Sequence, residues 1–370
     1  HDAIQAALSE AREREEQGKR LRIRDHMTLE DHASKALNSN ETFATMLRDL
    51  GATPPVKPSP RHPEEKIYAF AKNDLDFQAL QAHPDERIRH LTKARIIAKS
   101  NINETRAEGL LTRSVGDMPL PIYLNYCGAH TMRWSGGDKL NPQNFPDPKK
   151  GGDSRLRECL VAPRGMRIAV VDSGQIEARV IAWLCGQHDK LEAFRDPKRD
   201  LYCEFASDLY NYSVTKKHTP TERFVGKVCE LGLGFQMGPP KLQLTLATGA
   251  MGPPVLLDFE QCERAVQLFR QKNDRIQIGW RQLQRLIVSC LINGHETTWG
   301  PDGLLEFRRE AIHMPNGLDL QYPNIRAIPL DDERSEFRYK QRRNEWSKIF
   351  GGLLSENLTQ CIARIIVGLQ

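Results

Sequence analysis

VVDSGQIEARVIAWLCGQHD, residues 170 to 189, changes its period partway along. The apolar run Ile168, Ala169, Val170, Val171 leads into it and predicts a short buried strand. Asp172 stands at the end of that run, where a carboxylate can project into a cleft. Ile176, Val180, Ile181 and Leu184 then recur at three- to four-residue spacing, which predicts a helix from near Gln175. A strand that ends in a carboxylate and turns into a helix can hold a divalent metal. It can equally place an Asp that caps the helix. Alone, the segment leaves both readings open.

Upstream, Ile122 to Tyr126 reads as a strand. It runs into a polar loop, Gly128 to Pro146, whose donors Arg133, Ser135, Gln143 and Asn144 suit hydrogen bonding to a ligand. Cys159 to Ala162 is a second strand-like run, closed by a turn at Pro163-Arg164-Gly165. Downstream the chain is mainly helical. Asp200, Tyr202 and Phe205 share one helix. In Thr219 to Leu233, Arg223, Lys227 and Leu231 fall at i, i+4 and i+8, so both cations project from one face. Gly234 to Gly238 ends that helix. Residues 258–292 read as one long helix with Phe259, Val266, Phe269, Ile276, Trp280, Leu283 and Leu286 as its buried stripe; its aromatic residues read as core. Residues 297–325 carry strand-like pieces, with hairpin turns at Pro301-Asp302-Gly303 and Asn316-Gly317. A last helix runs from about Leu353, with Asn357, Gln360 and Arg364 among its polar positions.

The N-terminal third is helical too. Residues 1–24 form a charged stretch that reads as an exposed helix. Ser39 to Thr42 leads into a short amphipathic helix ended by Gly51. A Pro-rich loop from Thr53 to Pro60 reads as a surface loop or hinge. Residues 64–109 read as helices, and His90 to Asn101 carries Lys93, Arg95 and Lys99. Arg95 and Lys99 share a helical face, which is either solvated or a phosphate contact. A small sheet region between two helical regions makes the fold class α+β, mostly helical.

The chain has 370 residues and a net charge of +5. That length permits two or three domains, and the mild positive charge permits a polyanionic partner without requiring one. The eight cysteines form no CxxC pair, which argues against a zinc site or a disulfide framework and for a reducing compartment. The apolar runs are too short for a membrane span or signal peptide. The chain begins at His1, inside a helical pattern, which reads as a segment of a longer protein.

Taken together, four segments resemble the family A DNA polymerases, the group of bacterial polymerase I, and are most similar to the bacteriophage members. DSGQIEAR, Asp172 to Arg179, resembles the family's first motif, DYSQIELR. RFVGKVCELGLGFQMG, Arg223 to Gly238, resembles the second, R-x3-K-x3-F/Y-G-x2-Y-G. TMRWSGGDKLNPQNFP, Thr131 to Pro146, resembles the TGRxSS…LQNIP segment. ENLTQCIARII, Glu356 to Ile366, resembles the helix before the third motif. The order and spacing of the four, over nearly the whole chain, make the resemblance specific.

The resemblance implies a right-hand architecture of thumb (1–105), palm (106–175, with a small antiparallel sheet) and fingers (176–370). It implies template-directed addition of deoxynucleotides to a primer 3′-hydroxyl, in phage replication. Two Mg²⁺ ions, for which Mn²⁺ can substitute, would stabilise the attacking and leaving oxygens. Asp172 and the Ser173 carbonyl would be metal ligands, and Arg223 and Lys227 would face the triphosphate, with Lys227 neutralising or protonating the leaving pyrophosphate. Glu177 would fill the space of a ribose 2′-hydroxyl. Gln175, Leu231, Phe235 and Tyr202 would complete the nucleotide site. Arg133, Gln143, Asn144, Gln360 and Asn357 would read the minor groove, where correct pairs present acceptors in similar places. Lys93, Arg95 and Lys99 would hold duplex phosphates. The implied partners are primer–template DNA and dNTPs, with no membrane, a monomeric state, and the cytoplasm of a bacterial host.

The sequence departs from the family in places. Tyr-Ser of the first motif is Ser173-Gly174. The aromatic residue four positions after the second motif's Lys is Leu231, which puts acceptance of chain terminators in question. The motif's final Tyr-Gly is Phe235-Gln236. The third motif, His-Asp-Glu, does not appear before Gln370, so both ends read as cut and one metal-binding carboxylate is missing. Two alternatives remain: a single-subunit RNA polymerase, against which Glu177 argues, and a primer–template binding module without catalysis.

Overall fold

The computed structural model describes residues 29–59, 64–71, 74–99, 102–116, 118–138, 140–146, 155–330, 335–342 and 345–369. The helix expected over residues 1–24 lies outside them. The chain divides into two compact units, His1–Glu108 and Gly109–Gln370.

In the first unit, the helix Asn40–Asp49 begins at Ser39, whose side chain accepts from the Thr42 amide. That bond satisfies one of the amides the helix start leaves open. Its buried face, Phe43, Ala44 and Leu47, packs against Phe70, Phe77 and Ile88. The Pro-rich loop contains a strand, Val56–Pro58, paired antiparallel with Lys66–Tyr68, so part of the 64–109 region expected as helix is sheet.

Arg95 corrects the reading of the helix Glu86–Ala98. It is 1% exposed. Its guanidinium donates to the carbonyls of Leu37 and Ser39 and to Asn40 Oδ1, and lies 4.4 Å from the Phe43 ring centre. Burial pushes its pKa down. Arg95 therefore ties helices together rather than reaching a phosphate. Lys93 and Lys99 do lie exposed.

In the second unit, the helix Ile176–Cys185 lies between two cores. Val180 and Leu184 belong to one, with the C-terminal helix Gly351–Leu369 and the strands after residue 297. Ile181 belongs to the other, built by the helices Leu201–Tyr210, Pro220–Gly232, Phe259–Lys272 and Asp274–Leu286. Leu201–Tyr210 and Pro220–Gly232 approach closely at Gly226, where a Cβ would stand 2.2 Å from the Tyr202 carbonyl oxygen. Gly351 makes a similar approach, with a Cβ position 2.1 Å from the Trp280 carbonyl oxygen.

Three expectations about elements are corrected. The long helix over 258–292 breaks at Asn273 (φ −127°, ψ 56°), and its end, Ile287–Ile292, is a π-helix. The run Ile168 to Val171 is irregular and exposed, Val171 at 92%. Among the described residues no strand pairs with it, and an apolar run without a ladder partner has no sheet to join. Cys159 to Ala162 is likewise irregular. The strand expected at Ile122 to Tyr126 is shortened to Leu124–Asn125, paired with Ser135–Gly136.

The hairpin signatures at 301–303 and 316–317 lie in a four-stranded antiparallel meander, Thr297–Trp299, Leu305–Arg308, Ala311–His313 and Asp319–Gln321. A further three-stranded antiparallel sheet, Arg326–Pro329, Ser335–Arg342 and Glu345–Ile349, was not expected from the sequence. Among the described residues no helix is long and apolar enough to cross a membrane.

Candidate active site

The start of the Ile176–Cys185 helix positions the first group of side chains. The chain enters through Gln175 in the left-handed region (φ 59°), and Asp172 and Ser173 line the same cleft as Ile176 and Glu177 of the first helical turn. Arg179 secures this turn. Its Nε donates to the Gly174 carbonyl (3.1 Å), its Nη1 to the Phe194 carbonyl (3.1 Å), and its guanidinium lies 4.6 Å from the Phe194 ring centre.

Arg223 and Lys227 come from one face of Pro220–Gly232, one turn apart. The opposite face, Val225, Val228 and Cys229, is buried, so the amphipathic pattern aims the cations away from the core. Arg223 Nε donates to Asp200 Oδ2 (2.7 Å), and its guanidinium lies 5.3 Å from the Tyr202 ring centre. Asp200 also accepts from the amides of Tyr202 (3.1 Å) and Cys203 (3.2 Å) as the cap of its helix. Burial pushes the Asp200 carboxyl up, but the Arg223 guanidinium and the capping amides outweigh it and hold the group below the usual carboxylate range. The Tyr202 phenol is pushed up to about 12, first by burial and then by the Glu230 carboxylate, so it remains protonated.

These elements enclose a cleft of about 390 Å³, lined by Asp172, Ser173, Gln175, Ile176, Glu177, Tyr202, Arg223, Lys227 and Leu231. One helix start thus contributes the carboxylates and a second helix contributes both cations. A larger hollow of about 540 Å³ lies at the other end of the same helix, between Trp183 and Trp299. Its walls carry no Asp, Glu, Lys or Arg, whereas the smaller cleft has two carboxylates and two cations. Among the described residues no three His, Cys, Asp or Glu side chains gather as a metal nest.

Glu177 lines the cleft and faces Arg133, whose Nη1 is 3.6 Å from Glu177 Oε1. Gln360 stands on the C-terminal helix, accepting from Thr131 Oγ1 (3.2 Å) and donating to Glu356 Oε1 (3.2 Å). Burial, with Glu177 adding to it, pushes the Glu356 carboxyl up. Gln143 and Asn144 stand exposed on the 3₁₀ turn Pro142–Asn144. Asn357 is buried and donates to the Tyr322 hydroxyl (3.1 Å), so its side chain serves the core and not an open groove. Phe235 is not among the residues that line the cleft and is half-buried in the turn Leu233–Phe235. Trp280 supports that turn by donating to the Gly234 carbonyl (2.9 Å).

Sequence reasoning missed Asp200 as the partner of Arg223, and Glu356 beside Gln360. The signal for Asp200 was its place just before a helix, which the cap reading alone would have used.

The family model for DNA polymerase family A matches residues 8–277. The chain belongs to DNA polymerase family A. A DNA polymerase of Bacillus phage SP02 is 28% identical over 276 residues, covering 65% of this chain and 41% of the phage protein. A thermostable DNA polymerase I of Thermus aquaticus is 31% identical over 124 residues, covering 33% of this chain and 14% of that protein. The fold resembles the POL domain of Pol1 from M. smegmatis, solved in complex with DNA primer-template and dNTP. The TM-score is 0.55 at 18% identity, over 90% of this chain and 49% of that one. The chain thus spans less than half the length of the relatives it matches. Residues of the segment Asp172 to Arg179 and of the helix Pro220–Gly232 line one cleft, and both lie within the matched range.

Proposed function

We propose that this chain carries out template-directed DNA synthesis, adding deoxynucleotides to a primer 3′-hydroxyl. The observation that carries this reading is the single cleft in which Asp172 and Glu177 meet Arg223 and Lys227. Family membership and the fold support it. Residues 1–105 would form the thumb, 106–175 part of the palm and 176–370 the fingers, in a monomer working in the cytoplasm of a bacterial host.

Each residue contributes a distinct action. Arg223 binds the triphosphate, with Asp200 fixing its guanidinium plane. Lys227 places a second cation one turn deeper, where charge builds on the leaving pyrophosphate. Glu177 closes the side of the cleft where a ribose 2′-hydroxyl would lie. Gln175, Tyr202 and Leu231 shape the sugar and phosphate path, and Phe235 supports the new base pair from behind. Arg133, Gln143, Asn144 and Gln360 would meet the primer–template end, and Lys93 and Lys99 the duplex phosphates.

The donors present suit Mg²⁺, or Mn²⁺ in its place, in part. Asp172 supplies one hard carboxylate and Ser173 a carbonyl, and such ions share their remaining positions with phosphate oxygens and water. When bound, the metal would stabilise the attacking and leaving oxygens of the phosphoryl transfer.

Primer extension on a short primer–template with Mg²⁺ and dNTPs tests the reading. Extension is expected from the parent chain, loss by at least about a thousandfold from Asp172→Ala, and increased ribonucleotide incorporation from Glu177→Ala. Extension that survives Asp172→Ala overturns the metal-ligand assignment. DNA binding without extension from the parent would favour the primer–template binding module.

A further inference from the structure

The sheet formed by Arg326–Pro329, Ser335–Arg342 and Glu345–Ile349 has Ser335–Arg342 as its central strand. Its side chains alternate across the sheet. Tyr339 is buried in the core with Ile349, and Phe337 packs beside them, so these fix the inward face. The opposite face therefore carries Arg326, Arg338, Lys340, Trp346 and Lys348.

The register makes this face unusual. Arg326 pairs with Arg338, and Arg338 pairs with Lys348, so three cations stand abreast across three strands. Lys340 pairs with Trp346 in the next row. Like charges directly opposite one another destabilise a sheet, so such a row opposes folding unless something anionic offsets it. Glu336 offsets part of it, ion-paired to both Arg338 and Lys348. Arg326 instead lies over the Trp346 ring, 4.2 Å from its centre. Among the described residues neither Arg326 nor Lys340 pairs with a carboxylate.

We propose that this outward face binds a single strand of DNA, its phosphates on Arg326 and Lys340 and an unpaired base against the Arg326–Trp346 stack. The charge row matches a polyanion. The indole selects for a single strand, because only unpaired bases offer a π-face to an aromatic side chain, whereas a duplex keeps its bases stacked inside. The neighbouring strands lie about 4.8 Å apart, which places the three cations along a band roughly 10 Å wide, the scale of one strand's backbone. The face is separate from the Asp172 cleft. It rests on the polymerase reading only for the identity of the strand, which would be unpaired template.

Fluorescence anisotropy with a fluorescein-labelled oligo-dT of about 20 nucleotides, read across a salt series, tests the site. All variants are made in an Asp172→Ala background, so the readout stands whether or not the chain copies DNA. The Arg326→Gln/Lys340→Gln double variant is expected to bind about tenfold more weakly at low salt. Its log–log salt slope should shrink by about 1.4, or 0.7 for each lost phosphate contact. Trp346→Leu is expected to weaken binding about tenfold with little change of slope, because stacking releases no counterions. Arg308→Gln, which removes an exposed cation of the neighbouring sheet, should leave both unchanged. Unchanged affinity and slope in the double variant, with an unchanged circular-dichroism melt, would overturn the proposal. So would an equal loss in Arg308→Gln. A loss confined to labelled duplex would overturn the single-strand assignment.

Discussion

Asp200 starts the helix Leu201–Tyr210 and holds Arg223. The two tasks separate by substitution. Asp200→Ala removes cap and ion pair together, and the cap alone is worth about 1 kcal/mol of stability. Asp200→Asn keeps a capping oxygen and loses the charge. Both variants should raise the KM for dNTP in steady-state primer extension, while the chemical denaturation midpoint falls clearly only for Asp200→Ala. Equal midpoints for the two would show that capping contributes nothing. The pH dependence has a definite sign. The folded Asp200 carboxyl lies below its usual range, so its contribution is complete above that range and is lost as pH falls through the lowered value. The stability gap between parent and Asp200→Ala should therefore narrow as the pH falls through and below the usual carboxylate range. At this scale the sequence carried part of the site: Arg223 and Lys227 follow from spacing on one helix. Asp200 did not follow, because its contact with Arg223 spans 23 positions. Arg95 was misread for a related reason. Helical spacing gives a face but not its direction, and only the positions of Phe43 and Phe70 show that Arg95 points inward while Lys99 stays exposed.

Elements were legible where local chemistry decides them. Ser39 and Gly51 bound a helix through capping, and Asn316-Gly317 makes a hairpin through its turn. Elements that need a distant partner were less legible. Ile168 to Val171 has strand composition, yet no strand among the described residues pairs with it. The sheet from Arg326 to Ile349 is rich in charge, and its inward Phe337, Tyr339 and Ile349 are too few to mark it as strand by period alone. The break at Asn273 in the expected long helix has a tertiary cause. Asn273 Oδ1 accepts from Lys190 Nζ (3.0 Å), and its Nδ2 donates to the Phe269 carbonyl (2.9 Å). Lys190 is also ion-paired with Glu230, both buried, which ties the helix His188–Arg195 to the cation-bearing helix Pro220–Gly232. Removing one partner strands a buried charge. Lys190→Met should cost about 3–5 kcal/mol, while Lys190→Met with Glu230→Leu should recover most of that loss. Urea denaturation of the two variants decides it: a double variant no more stable than the single would show that the pair is not the coupled unit.

At the scale of the whole molecule, the division at residues 108 and 109 separates the core around Phe43 from the cores of the second unit. The first unit is built on Phe43, which is fully buried, touches Phe70 edge-on at 4.9 Å between ring centres, and carries the Arg95 guanidinium on its face. The sequence showed helices here but not this division, because separation of cores is a property of contacts between distant segments. A core private to one unit implies that the units unfold separately. Phe43→Ala removes a large buried ring and leaves a cavity, a loss of about 3–5 kcal/mol. In a unit of this size each kcal/mol moves the midpoint by about 4–8 °C. Differential scanning calorimetry of the parent should show two transitions, and Phe43→Ala should lower one by more than about 10 °C while the other stays in place. The cleft between Pro220–Gly232 and Ile176–Cys185 lies wholly in the second unit, so nucleotide binding there should persist after the first unit has melted. Protection of the second transition by dNTP, retained in Phe43→Ala, is the result expected, since a ligand raises only the stability of the unit that binds it. A single transition displaced as a whole by Phe43→Ala would show instead that the two units unfold as one.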